Sequence, residues 1–196
     1  MPEWNQRDLL EADDADRGAT VMAVHASAEH HFSKQAQPSI MLLQGLGVQD
    51  DAHAGAKVQH RYDKARDPTR PNLRQVHLLQ SELFEELRGT GFTVRPGDLG
   101  ENITTRGLDI LALPESTRLH IGPRAIVEIT GLRTPCVYID RFRKGLLAAV
   151  RGPSAKGNSV HQAGLMAIVV RSGVIKAGEA IEVELPVGDH RRLRSV

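Results

Sequence analysis

The sequence predicts a mainly β fold with accessory helices, arranged as a β-barrel or a strongly curled sheet. Short apolar, β-branched runs recur at close spacing, and Gly or Pro turns separate them. No regular alternation of strand and helix of the doubly wound kind is present. With 196 residues, 40% of them hydrophobic and 4% aromatic, the chain suits one globular domain over residues 19–186.

Residues 1–18 are polar and acidic (Glu11, Asp13, Asp14, Asp16) and read as a flexible amino-terminal arm. Thr20–Ala26 is the first strand and Ser39–Leu43 the second. From Val48 to Arg74 the chain loses apolar periodicity and becomes dense in Asp, His, Arg and Gly, a pattern that marks functional or disordered loops. Gln75–Gln80 resumes regular structure and leads into a short helix over 81–89. Ser81 serves as its N-cap, Leu83, Phe84 and Leu87 share its inner face, and Gly89 ends it. The turn Pro96-Gly97-Asp98-Leu99-Gly100 opens a strand through Ile103 and Thr104. The same grammar of turn and alternation returns at Pro114–Ile121 and at Ala177–Leu185. Ala125–Ile129 is a strand that Gly131 and Pro135 stop, and a second helix is expected from Ile139 to Val150. Residues 187–196 form a basic tail, read as a solvated end.

Formal net charge is +1, so no whole-molecule field draws the chain to nucleic acid or an anionic membrane. The longest apolar runs are too short to span a bilayer. One cysteine excludes an intrachain disulfide, and the first residues lack the apolar core of a signal peptide, so the expected location is the reducing cytoplasm.

Chemistry concentrates in four places. Cys136 lies where a strand gives way to a helix, close to Arg133 and to exposed helical N–H groups, which favours a reactive thiolate. A small buried hydrophobe is the structural alternative. Asp51 and His53 follow a glycine-rich turn and suit a proton relay, or equally a loop staple. Gln75 and His77 share one face of a strand beside Arg74. Glu101, Asn102 and Thr104 follow two glycines that let the backbone approach a ligand, although a plain capped turn would use the same residues. No zinc spacing, phosphate loop, dinucleotide fingerprint or nucleophile elbow is present.

Taken together, Gly47 through Gly55, Arg74-Gln75-Val76-His77, Gly97 through Thr104, and Thr130 through Cys136 with Ile139-Asp140 resemble the molybdenum cofactor sulfurase C-terminal (MOSC) domain family in its single-domain form. Ala163-Gly164-Leu165-Met166 and Gly178-Glu179 extend the match, which runs from about residue 20 to 186. One position departs: Asp50 stands where the family element has Gly. The resemblance implies a barrel of the pyruvate-kinase-barrel type and a molybdenum–pterin cofactor ligated by Cys136. It implies cofactor contacts from Arg74, Gln75, Glu101, Asn102, Thr104 and Arg133, binding of the pterin or orientation of the substrate by His77, and a proton relay by Asp51 with His53. The activity it implies is reduction of N-hydroxylated small molecules such as hydroxylamino-purines and amidoximes, fed by an electron-donor protein of flavin or haem/iron–sulfur type. The alternative is a carrier that holds a persulfide on Cys136 and exchanges sulfur with a donor or acceptor protein. Neither the aminotransferase-like sulfurase domain of longer relatives nor a site for pyridoxal phosphate is expected.

Overall fold

In a computed structural model, residues 18–151 and 162–196 are described. All of the expected amino-terminal arm but Gly18 lies outside them. The eleven strands are β1 (Thr20–Ala26), β2 (Gln35–Gln37), β3 (Ile40–Leu43), β4 (Gly47–Val48), β5 (Val76–Gln80), β6 (Ile103–Arg106), β7 (Arg118–Ile121), β8 (Ala125–Leu132), β9 (Leu165–Arg171), β10 (Gly173–Ile175) and β11 (Ile181–Glu184). Among the described residues these are joined by the α-helices α1 (Arg61–Arg66), α2 (Glu82–Gly89), α3 (Val137–Phe142) and α4 (Leu146–Ala149).

The main sheet runs β11-β7-β8-β9-β5-β6-β1-β2, and β10-β3-β4 form a smaller one. Alternation on β8 is regular, buried residues at Ala125, Val127 and Ile129 facing inward with Val21, Leu78, Ile103 and Leu119. The sheet curls until its ends approach: Thr20 bridges Ala180, and the Val21 N–H donates to the Glu179 carbonyl at 2.8 Å. That contact reaches the first residue of β11, whose Ile181 N–H donates to the Ala19 carbonyl at 2.8 Å, and β2 ends the strand order. Of the two forms expected, a β-barrel or a strongly curled sheet, the structure shows the curled sheet, and its strand order does not close into the barrel that the resemblance implies.

A second apolar cluster covers the outside of β5, where Leu83, Phe84 and Leu87 of α2 meet Leu79, Ile139 and Leu146. Three local expectations change. Ser81 stands at the N-cap but makes no side-chain capping bond, while α2 ends at Gly89 as expected. The single helix expected over 139–150 is two, broken where Gly145 takes φ 88° before α4. β8 continues past Gly131 by way of a bulge, so glycine there bends the strand without stopping it.

Register decides where the loops gather. Val24 and Leu78 both pair with Ile103, and Leu165 pairs with both Leu78 and Leu132, so these five residues form one row across the sheet, at which β6 and β9 begin and β8 ends. The segments carrying Asn102, Arg133 and Gly164 meet the sheet at that row, while Asp51 and His53 follow β4 of the smaller sheet.

Candidate functional site

Cys136 is the N-cap residue of α3, half-buried, with extended backbone (φ −121°, ψ 167°) that suits a cap. Ile139, fully buried in the helical cluster, anchors the turn that follows. Arg133 leaves the end of β8 with its N–H bonded to the Gly164 carbonyl at 2.9 Å. Its guanidinium lies 6.0 Å from the Phe32 ring centroid, and its Nη1 is buried without a hydrogen-bond partner. Burial pulls the Arg133 pKa down, while the Cys136 charge opposes that and the Arg74 charge adds to it, so the two guanidinium groups and the thiol feel one another. Arg74 approaches Asp63 of α1 at 3.4 Å.

Deeper in, Asp51 collects donors on both oxygens. Its Oδ2 accepts from Lys34 Nζ at 2.6 Å, Asn102 Nδ2 at 3.0 Å and the Ser27 N–H at 3.2 Å. Its Oδ1 accepts from the His53 N–H at 3.0 Å and lies 3.3 Å from His53 Nδ1. Burial alone would raise its pKa, but His53 and the Lys34 ammonium hold the carboxyl far below the usual carboxylate range. Asp50 supplies the turn before it by taking the left-handed conformation, φ 60°. His53 keeps a partly exposed ring, edge-on to His30 with centroids 5.0 Å apart.

The remaining candidates bond within the protein, Glu101 through one oxygen only. Asn102 Oδ1 accepts from the His77 N–H at 3.1 Å, and its Nδ2 also donates to the His25 carbonyl at 3.1 Å. His77 donates from Nε2 to the Ala163 carbonyl at 2.8 Å, and burial first, then Arg133, holds its pKa well below the ordinary value, so the ring is neutral. Gln75 ties the Gly45 carbonyl (2.7 Å) to the Val169 N–H (2.9 Å). Glu101 accepts from the Gly97 N–H at 2.6 Å and the Thr104 hydroxyl at 3.1 Å, and its other oxygen is buried without a partner. Burial raises its pKa.

A model of the MOSC domain matches residues 28–182. The chain belongs to the MOSC domain family. No curated protein matches it by sequence. Among solved structures, the YuaD protein from Bacillus subtilis is similar at 21% identity and a TM-score of 0.69, over 84% of this chain and 94% of that one. YiiM from Escherichia coli is similar at 18% identity and a TM-score of 0.58, over 88% and 72%. YiiM from Geobacillus stearothermophilus gives 18% and 0.55 over 86% and 74%. At these identities the likeness is one of fold.

Within this MOSC domain the structure unites Arg74, Arg133 and Cys136 in one electrostatic group and Asp51, His53 and Asn102 in another. Glu101 links them through its charge on Lys34 and on Arg133. Two members carry no sequence signal: Lys34, its side chain 5% exposed, and Phe32. Among the described residues no three His, Cys, Asp or Glu side chains are placed to hold a metal ion. The unpartnered Arg133 donor beside the Cys136 thiol suits the anionic part of an organic metal cofactor. An open groove of ≈ 690 Å³ lined by Ser27, Gln35, Met41, Asp50 and Val174 lies beyond Asp51 and does not include Cys136. Among the described residues no helix is long and apolar enough to cross a membrane.

Proposed function

We propose that this chain holds a molybdenum–pterin cofactor at Cys136 and reduces N-hydroxylated small molecules: R–NHOH with two electrons and two protons gives R–NH2 and water. The observation that carries this reading is the pairing of a half-buried thiol with the buried, unpartnered Nη1 of Arg133. When bound, the cofactor supplies the two-electron chemistry. Cys136 is the metal ligand. Arg133 and Arg74 hold the cofactor's phosphate, since a guanidinium fork matches its oxygens. Glu101, Gln75, Asn102 and Thr104 shape the cofactor pocket from within the fold. Protons reach the substrate through His53, whose ring is partly exposed and hydrogen-bonded to Asp51, a carboxylate that stays ionised. His77, neutral and bonded to Ala163, sets the loop that receives the Arg133 N–H. An electron-donor protein of flavin or haem/iron–sulfur type provides the electrons.

Elemental analysis for molybdenum, on protein from a host that makes the cofactor, tests this with Cys136→Ala alongside. Near-stoichiometric metal that the variant loses is expected, together with reduction of hydroxylamino-purines or amidoximes. Metal-free protein would sink the proposal. The same thiol beside two guanidinium groups also suits a sulfur carrier, and a reducible sulfur adduct on Cys136 by intact mass would turn the assignment that way.

A further inference from the structure

The end of β8 is held from both edges. On one side Leu132 pairs with Leu165 of β9, and Arg133 donates to the Gly164 carbonyl at 2.9 Å. On the other side lies the basic tail, whose arginines stay exposed as the sequence suggests while its main chain is bound. The Leu132 N–H donates to the Arg194 carbonyl at 2.8 Å, the Val196 N–H donates to the Leu132 carbonyl at 3.2 Å, and Leu132 and Ser195 form a parallel bridge. Upstream, the Glu115 N–H donates to the Arg191 carbonyl at 2.9 Å, and Leu193 packs on the main core. Gly131 makes the approach possible. A Cβ there would collide with the Arg194 carbonyl oxygen and lie 2.8 Å from Val196 Cγ1, while the residue's own φ lies outside the left-handed region. Glycine is needed for the neighbour's sake, not for a turn.

We propose that residues 194–196 are a clasp that positions the Arg133–Cys136 loop. The assignment rests on the reading that Arg133 and Cys136 form the site. Only Leu132 separates the clasped glycine from Arg133, and a strand end hydrogen-bonded on both edges opens less often than one paired on a single edge. Opening the clasp lets the strand end fray, and the arginine and thiol then lose their mutual placement. Gly131, Arg194 and Val196 act through the main chain of Leu132 and are positioning residues.

Cys136 is the sole cysteine, so its alkylation by iodoacetamide in the native protein, followed by intact mass, reads the loop directly and needs no cofactor. A failure of the cofactor reading therefore leaves this test intact. Two changes are compared, Gly131→Ala in the full chain and removal of residues 191–196. Each is expected to raise the alkylation rate about five- to tenfold. The combination should react no faster than the deletion alone, because alanine has nothing to strike once the tail is gone. An unchanged rate in the deletion overturns the proposal even if the melting temperature falls, and so does a further rise when Gly131→Ala is added to it. Where the deleted chain does not fold, hydrogen exchange on the unaltered protein decides. Matching protection of the Leu132 and Val196 amides supports the clasp, and free exchange at Val196 with Leu132 still protected overturns it.

Discussion

Lys34 Nζ lies 2.6 Å from Asp51 Oδ2, and the two side chains are 5% and 1% exposed. The pair joins the segment after β1 to the loop before His53, so two irregular stretches share one electrostatic anchor. Removing one member leaves the other charge buried and unpaired. Lys34→Met is expected to lower stability by about 3 kcal/mol in urea denaturation. Asp51→Asn, although isosteric, should cost at least as much, because its amide would point a donor at Ser27, Asn102 and Lys34, all of which already donate there. An Asp51→Asn protein as stable as the parent would contradict the assigned hydrogen bonds.

His25 provides a pH signature separate from that pair. It is buried in β1, with Nδ1 lacking a partner, and its pKa is pushed from 6.5 down to about 4 by burial first and by Lys34 second, against the pull of Asp98. The folded value lies below the unfolded one, so the unfolded chain takes up the proton first. Stability from this group is full above about pH 6.5 and falls as pH drops towards about 4, by on the order of 2–3 kcal/mol. Denaturation across that window should show the slope, and His25→Phe should flatten it. Asp51 is depressed too, and its contribution, full above the ordinary carboxylate range, is lost only as the medium becomes strongly acid.

Much of this fold is legible in the sequence, and the exceptions share a cause. β1 follows from its β-branched residues with both bounds as expected, and the burial of Leu83, Phe84 and Leu87 follows from helical spacing. Gly131 was expected to end a strand because, in one dimension, a glycine in a bulge looks like a glycine in a turn. Lys34 carries no local signal, since its partner lies 17 positions on and only the fold makes them neighbours. The tail looks solvated because its arginines conceal a main chain that pairs with Leu132. Cys136, Arg133 and Asp51 were readable as candidates. That Asn102 and Gln75 would spend their amides on the protein itself was not, because hydrogen-bond partners across a sheet have no sequence spacing.

Asp50 holds φ 60°, a conformation that costs an L-residue energy, Asp less than most. Asp50→Gly should stabilise the protein by about 0.5 kcal/mol, and Asp50→Val, whose branched Cβ suits that region worst, should destabilise it by about 1–2 kcal/mol. Thermal denaturation of the two variants reads both signs. Equal melting temperatures would mean that the loop relaxes elsewhere and that Asp51 is not held by this turn.

Arg133 sets stability against binding. Its guanidinium lies over Phe32 with Nη1 buried and unpartnered, a cost that no hydrogen bond at that atom offsets. Arg133→Met keeps an unbranched side chain against Phe32 and removes the buried charge, so the cofactor-free protein should be as stable as the parent or more stable by about 1 kcal/mol. Molybdenum retention should fall at least tenfold in the same variant, because the bidentate donor for the cofactor's anionic part is gone. Arg133→Lys restores charge but not the fork, and should recover retention only in part. A marked loss of stability in the cofactor-free Arg133→Met protein would instead make this arginine a structural brace, and the cationic pocket beside Cys136 would then need another owner.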